Sequence, residues 1–458
     1  MSSCESSPSS TYPPIVRLTP SRSTLACLNA PQVLYVLAEI MPSQGVGGEG
    51  QGRGLASWPL NLCLLIDRST SMKGPRLAQV KAAVDCLIDA LGEADTLSIV
   101  TFSDRAEVIL PAQRPVNKLI AKGKVQAVHA GGGTEIFHGL MYGLAELYKG
   151  REPYSINHLI LLTDGRTYGD EEDCLALAQE AAPDGITISA LGIGYEWNDD
   201  FLDRLAGITG GVSVFIETEE QIVRFLDEHV RTLDAAFAHH LRVQVYMQPG
   251  VELKSVFKLV PTPQPLVSDR DTVHLGTVPY GQPMILLFEF VVQPRPEGYH
   301  HLFDLRFSAQ IPMEGQGPGA EDGEPGRATD AGQGTTSVQV VCDFAAPFAA
   351  NVPQEAPPPR IVAALGQLSL YAMHERALHD VEHGQTTQAT RRLQALASRL
   401  DHLGQTGLAR TALAEADRLQ RTGMLSEEGR KRLKYGTRAL IAAAPEETSA
   451  RNGGPDAK

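Results

Sequence analysis

"LNLCLLIDRSTSMKGPRL", residues 60–77, sets a run of apolar residues directly against Asp67, Ser69 and Ser71. A short continuous apolar run ending in turn residues predicts a strand buried on both faces. Helical period follows at once: Leu77, Val80, Val84, Leu87, Ile88 and Leu91 share one face, with Pro75 at the first turn and Gly92 as the stop. Further apolar runs lie at 97–103, 106–111, 158–164, 186–194 and 212–217, most of them separated by stretches of helical period. Such alternation predicts an α/β domain over 59–235, with a doubly wound, mostly parallel, Rossmann-like sheet covered on both sides. Runs 97–103 and 106–111 are too close for a crossover, so they predict a hairpin with one antiparallel edge strand.

On either side the period changes to two. Leu241, Val243, Val245 and Met247 alternate with Arg242 and Gln244, and Phe303, Leu305, Phe307, Ala309 and Ile311 alternate with polar partners. Segments 33–40, 284–292 and 337–344 have the same character. These predict an antiparallel β-sandwich built from 15–42 together with 240–345, into which the α/β domain is inserted. Beyond the Pro-rich spacer the period returns to helical over 360–443, with Leu393, Leu396, Ala397, Leu400 and Leu403 on one helix and Ala409, Ala412, Leu413, Ala416 and Leu419 on another. A small α-helical hairpin or three-helix bundle is expected there. Stretches 1–14, 43–56, 313–335, 351–359 and 445–458, rich in Gly, Pro or polar residues, are expected to be flexible.

The bulk numbers exclude some classes. A chain of 458 residues suits about two to four domains. Its formal charge of −14 argues against nucleic acid or an anionic membrane as partner. No apolar segment approaches the length of a membrane span, and the polar start "MSSCESSPSSTYPP" has no signal-peptide core. Cysteines 4, 27, 63, 86, 174 and 342 show neither close pairs nor zinc-like spacing, which points to reduced thiols and a cytoplasmic location.

Ligands of doubly wound sheets bind beyond the carboxyl ends of the strands. Asp67 ends the first strand of the α/β domain, Asp164 ends the fourth, and "HAGGGTEIFHGL" (129–140) supplies a Gly-rich loop with Thr134. Asp67, Ser69, Ser71, Thr134 and Asp164 can therefore converge, and all five offer oxygen. That donor set suits a hard divalent cation, Mg²⁺ or Mn²⁺ first and Ca²⁺ as an option. Ser71 and Thr134 read equally well, taken singly, as helix N-caps. The order D-x-S-x-S, then Thr in a Gly-rich loop, then T-D-G resembles the von Willebrand factor type A domain and its metal-ion-dependent adhesion site. That resemblance implies direct or water-mediated coordination by Ser69, Ser71 and Thr134, with Asp67 and Asp164 as the carboxylates. It implies a rim of Gly133, Glu135 and Gly165, and an open metal position for an acidic side chain of a protein partner. Glu135 stands where many members carry Asp. The layout is also similar to bacterial relatives of inter-alpha-trypsin-inhibitor heavy chains and calcium-activated chloride-channel homologues.

The expected function is non-catalytic, metal-dependent protein binding. An adaptor or substrate-delivery subunit working with a separate AAA+ ATPase, as in chelatase or chaperone systems, is the second expectation. An aspartate-dependent phosphatase is the third, weakened because Ser69 stands where a second carboxylate is needed. "HDVEH" (379–383) matches a zincin-like pattern, but Gly384 ends the helix immediately after His383, so solvated histidines are expected. His239–His240 and His300–His301 are expected at the surface or at strand ends.

Overall fold

The computed structural model describes residues 2–6, 14–42, 58–152, 154–167, 169–218, 220–312, 335–352 and 355–442. They belong to two units, Met1–Ala356 and Pro357–Lys458. The flexible stretches expected at 43–56, 313–334 and 445–458 lie outside the described residues.

The first unit opens with strands β1 (Ser2–Ser6), β2 (Ile15–Pro20), β3 (Leu25–Ala26) and β4 (Gln32–Met41). Of the amino-terminal stretch expected to be flexible, residues 2–6 form β1, whose backbone pairs antiparallel with a later strand, and residues 7–13 lie outside the described residues. The α/β domain then runs β5 (Leu60–Asp67), α1 (Pro75–Ala90), β6 (Thr96–Phe102), β7 (Ala106–Gln113), α2 (Lys118–Gln126) and α3 (Ile136–Gly150). It continues with β8 (Ile156–Thr163), α4 (Glu171–Ala181), β9 (Ile186–Ile193), α5 (Asp199–Thr209), β10 (Ser213–Ile216) and α6 (Glu220–Asp234). The sheet order is β10-β9-β8-β5-β6-β7, parallel except for the β6–β7 hairpin at one edge. Every residue of β5, β6, β8 and β9 is buried, as layers of helix on both faces demand. α1 contributes Leu77, Val80, Val84, Leu87 and Ile88 to this core, each large side chain stabilising the fold by about 1.5–3 kcal/mol.

The chain returns to antiparallel sheet with β11 (Ala236–Met247), β12 (Val251–Val260), β13 (Gln264–Leu266), β14 (Ser268–Asp269), β15 (Thr272–Pro279), β16 (Met284–Val292), β17 (Gly298–Pro312) and β18 (Thr335–Ala349). One sheet is ordered β1-β18-β17-β11-β15-β14, with β3 beside β18, and the other β13-β12-β16-β4-β2. Their inward faces meet in one core that includes Leu34, Val36, Val243, Phe288, Phe290 and Phe303. Because β4 pairs with β16 along its whole length, the α/β domain is an insertion between two halves of a sandwich. Trp58 Nε1 donates to the Ala236 carbonyl at 2.9 Å and so ties the start of the inserted domain to its end.

Two expectations about single residues change. Cys342 is disulfide-bonded, and β1 sets Cys4 opposite it across the strand ladder, a proximity that linear spacing hides. Cys27, Cys63, Cys86 and Cys174 are free. His239 is buried, its ring edge-on to Trp58 at 4.4 Å, because β11 runs between the sandwich and the inserted domain.

The second unit holds four helices, α7 (Pro359–Glu382), α8 (Thr386–His402), α9 (Thr406–Thr422) and α10 (Glu427–Ala442), one more than the expected hairpin or three-helix bundle. Leu370, Leu393, Leu396, Leu400, Leu419 and Leu433 form its core. His379 and His383 stack at 4.1 Å on the exposed end of α7. No helix among the described residues is long and apolar enough to cross a membrane.

Candidate metal centre

β5 sits between β6 and β8, so the chain leaves it toward one side and later returns on the other. The carboxyl edge at this reversal is where an open α/β sheet forms a crevice. Asp67 ends β5 and Asp164 follows β8, and both side chains are fully buried there. Asp67 Oδ1 accepts from the Ser69 amide at 2.7 Å and Oδ2 from the Thr163 hydroxyl at 2.6 Å. The Ser69 and Ser71 hydroxyls lie 3.0 Å apart, and Ser71 donates to Asp164 Oδ1 at 2.6 Å. Four of the five oxygen donors named from the sequence thus stand close together, three of them in one hydrogen-bonded chain.

The Gly-rich loop brings the fifth. The Gly131 amide donates to the Arg68 carbonyl, and Thr70 donates to the Gly132 carbonyl through both its amide and its hydroxyl. Gly132 has φ +91°, and a Cβ there would stand 2.6 Å from Asp104 Oδ2, so only glycine fits. Thr134 is buried, and a Cβ at Gly165 would lie 2.9 Å from its Oγ1, so two loops close on each other at that point. Among the described residues the Thr134 hydroxyl makes no hydrogen bond, so its oxygen is available as a ligand.

The helix-cap alternative does not hold. α1 is capped at Gly74 and α3 at Glu135, neither with a side-chain cap bond, while the Ser71 hydroxyl is committed to Asp164. Burial pushes the Asp67 carboxyl up to about 6, against the pull of its hydrogen bonds from Ser69 and Thr163. A carboxylate so desolvated gains from a neighbouring cation. The set of two carboxylates and three hydroxyls fits a hard divalent ion, and among the described residues no group of three or more His, Cys, Asp or Glu side chains offers an alternative cluster.

The rim residues differ in role. The Gly133 amide donates to Asp104 Oδ1 at 2.7 Å, and Glu135 pairs with His138 Nδ1 at 3.0 Å on the exposed side. Three residues that the sequence reading did not single out also shape the site. Thr163 fixes Asp67, and its presence in T-D-G was a usable signal. Asp104, from the β6–β7 turn, holds the glycine loop; Arg76 pairs with Asp164 at 2.6 Å.

Comparison with known proteins agrees with this architecture. Residues 61–228 match the von Willebrand factor type A domain family, and residues 359–443 match the family described as Sll0103-like, C-terminal alpha-helical domain. The uncharacterized protein sll0103 of Synechocystis sp. is 30% identical over 266 residues, 56% of this chain and 63% of that protein. Human inter-alpha-trypsin inhibitor heavy chain H4 is 28% identical over 173 residues, 35% of this chain and 18% of that one. The matched part therefore spans less than two thirds of either relative. A von Willebrand factor type A structure from Catenulispora acidiphila shares the fold with a TM-score of 0.68 at 18% identity, covering 94% of this chain and 98% of that chain. From sheet order, the turn after β5 and the family match together, residues 61–228 of this chain form a von Willebrand factor type A domain.

Proposed function

We propose that the chain is a non-catalytic protein-binding module in which a divalent cation, Mg²⁺ or Mn²⁺, captures an acidic side chain of a partner. Von Willebrand factor type A domains are in general protein-interaction or adhesion modules. The observation that carries the finer reading is the convergence of Asp67, Ser69, Ser71, Thr134 and Asp164 on one crevice, with the Thr134 hydroxyl unengaged. Ser69, Ser71 and Thr134 would hold the ion directly or through water, with Asp67 and Asp164 as the carboxylates beside it. When bound, the ion supplies an electrophilic centre for an incoming carboxylate. With neutral hydroxyls as its nearest ligands the ion would keep positive charge at an open position, where an external carboxylate is a better donor than water.

The test is calorimetric titration of Mg²⁺ and Mn²⁺ into the full chain and into Asp67→Ala. Saturable binding in the first and none in the second is expected; equal responses would remove the proposal. Affinity capture with and without EDTA then identifies the partner.

A further inference from the structure

A helix amino terminus carries partial positive charge and favours Asp or Glu in its first turn. In α1 that turn has no acidic residue, and its second position is Arg76. The guanidinium turns back toward the oxygen cluster. Nη1 donates to Asp164 Oδ2 at 2.6 Å and approaches the Ser71 carbonyl at 3.5 Å. Room for it is made across the crevice: a Cβ at Gly194, which has φ +73°, would stand 3.1 Å from Arg76 Nη2. The Asp164 oxygens are divided, Oδ1 to the Ser71 hydroxyl and Oδ2 to the arginine. The aspartate is wholly buried, whereas the arginine side chain is 35% exposed.

We propose that Arg76 is a tethered cation that competes with the divalent metal for Asp164 and so sets the affinity of the site. This rests on the metal reading of the same five residues. The guanidinium opposes the ion twice, by occupying Oδ2 and by fixing a like charge beside the coordination shell. Its half-open position lets it leave the carboxylate without disturbing the buried strand ends. The exposed guanidinium is then free to meet the carboxylate that a partner presents.

Calorimetric titration of Mn²⁺ into the full chain tests the idea with wild type, Arg76→Gln, Arg76→Lys and Asp67→Ala. Arg76→Gln should bind Mn²⁺ about tenfold more tightly than wild type, and Arg76→Lys should stay near wild type. Affinity in Arg76→Gln equal to or below wild type overturns the competition while leaving metal binding intact. A wild type whose heats are no different from those of Asp67→Ala overturns both readings. A measurement without substitution guards against a variant that fails to fold. In wild type, saturating Mg²⁺ should shift the NMR signal of the Arg76 Nε–H group, and an unmoved signal also overturns the competition.

Discussion

Asp67 closes β5 with its carboxyl group wholly removed from water, and burial lifts its pKa from 3.8 to about 6. A raised folded-state pKa means that the stabilising contribution is complete below 3.8 and is lost as pH rises through about 6. At neutral pH the ionised group therefore costs about 3 kcal/mol. In EDTA at pH 7.5, Asp67→Asn should melt several degrees above wild type, with the gain gone by pH 4, while Mg²⁺ no longer raises its melting temperature. A lower melting temperature in EDTA would show that the carboxylate serves folding instead. The five oxygens were legible because strand-terminal Asp, D-x-S-x-S and T-D-G are local signals whose convergence the α/β topology supplies. Arg76 was not, since a charge in a first helical turn reads as solvated until Asp164 and Gly194 are brought beside it. Asp104 stayed hidden for the same reason, its partner being a backbone amide from another loop.

The turn between β5 and α1 depends on Gly74, whose φ of +94° and ψ of −135° lie where side-chain-bearing residues are strained. Gly74→Ala meets no atom within 4 Å, so its effect isolates the backbone. It should destabilise the first unit by about 1–3 kcal/mol in urea titration and weaken metal binding, because Ser71 and Arg76 flank it. An unchanged urea midpoint would show that the turn relaxes freely. At this scale, elements were readable wherever burial imposed a period. β5 is apolar throughout because both faces are covered, and β11 and β17 alternate because one face is. α10 escaped because its buried side carries Lys431, Lys434 and Arg438 beside Leu433 and Ile441. Arg438 lies over the Tyr371 ring and donates to its hydroxyl at 3.0 Å, so a polar stripe does what apolar side chains do in α8 and α9. β1, made of "SSCES", has no pattern to read; pairing with β18 alone makes it a strand.

Across the first unit, the inserted domain is seated on the sandwich through the amino ends of its strands. The Gly210 and Gly276 backbones approach so closely that a Cβ on either would lie within 2.5 Å of the other's chain. Lys258 Nζ, fully buried, donates to the Gly210 carbonyl, and Gln264 bridges Ser213 and Gly211. Five histidines, His158, His229, His239, His240 and His274, are held below their usual pKa in this region, mainly by burial. A depressed folded-state pKa gives stability that is present above 6.5 and lost as pH falls through about 4. Urea titrations at pH 7.5, 6, 5 and 4.5 should show unfolding free energy falling steeply below 6.5, opposite in sign to the gain from Asp67. A flat profile would mean that these rings are hydrated in solution. The seating has a mechanical consequence. β5 spans eight residues, about 25 Å, so Asp67 stands well clear of the sandwich. A pull applied there would run lengthwise down parallel strands, loading whole ladders in shear instead of unzipping them rung by rung.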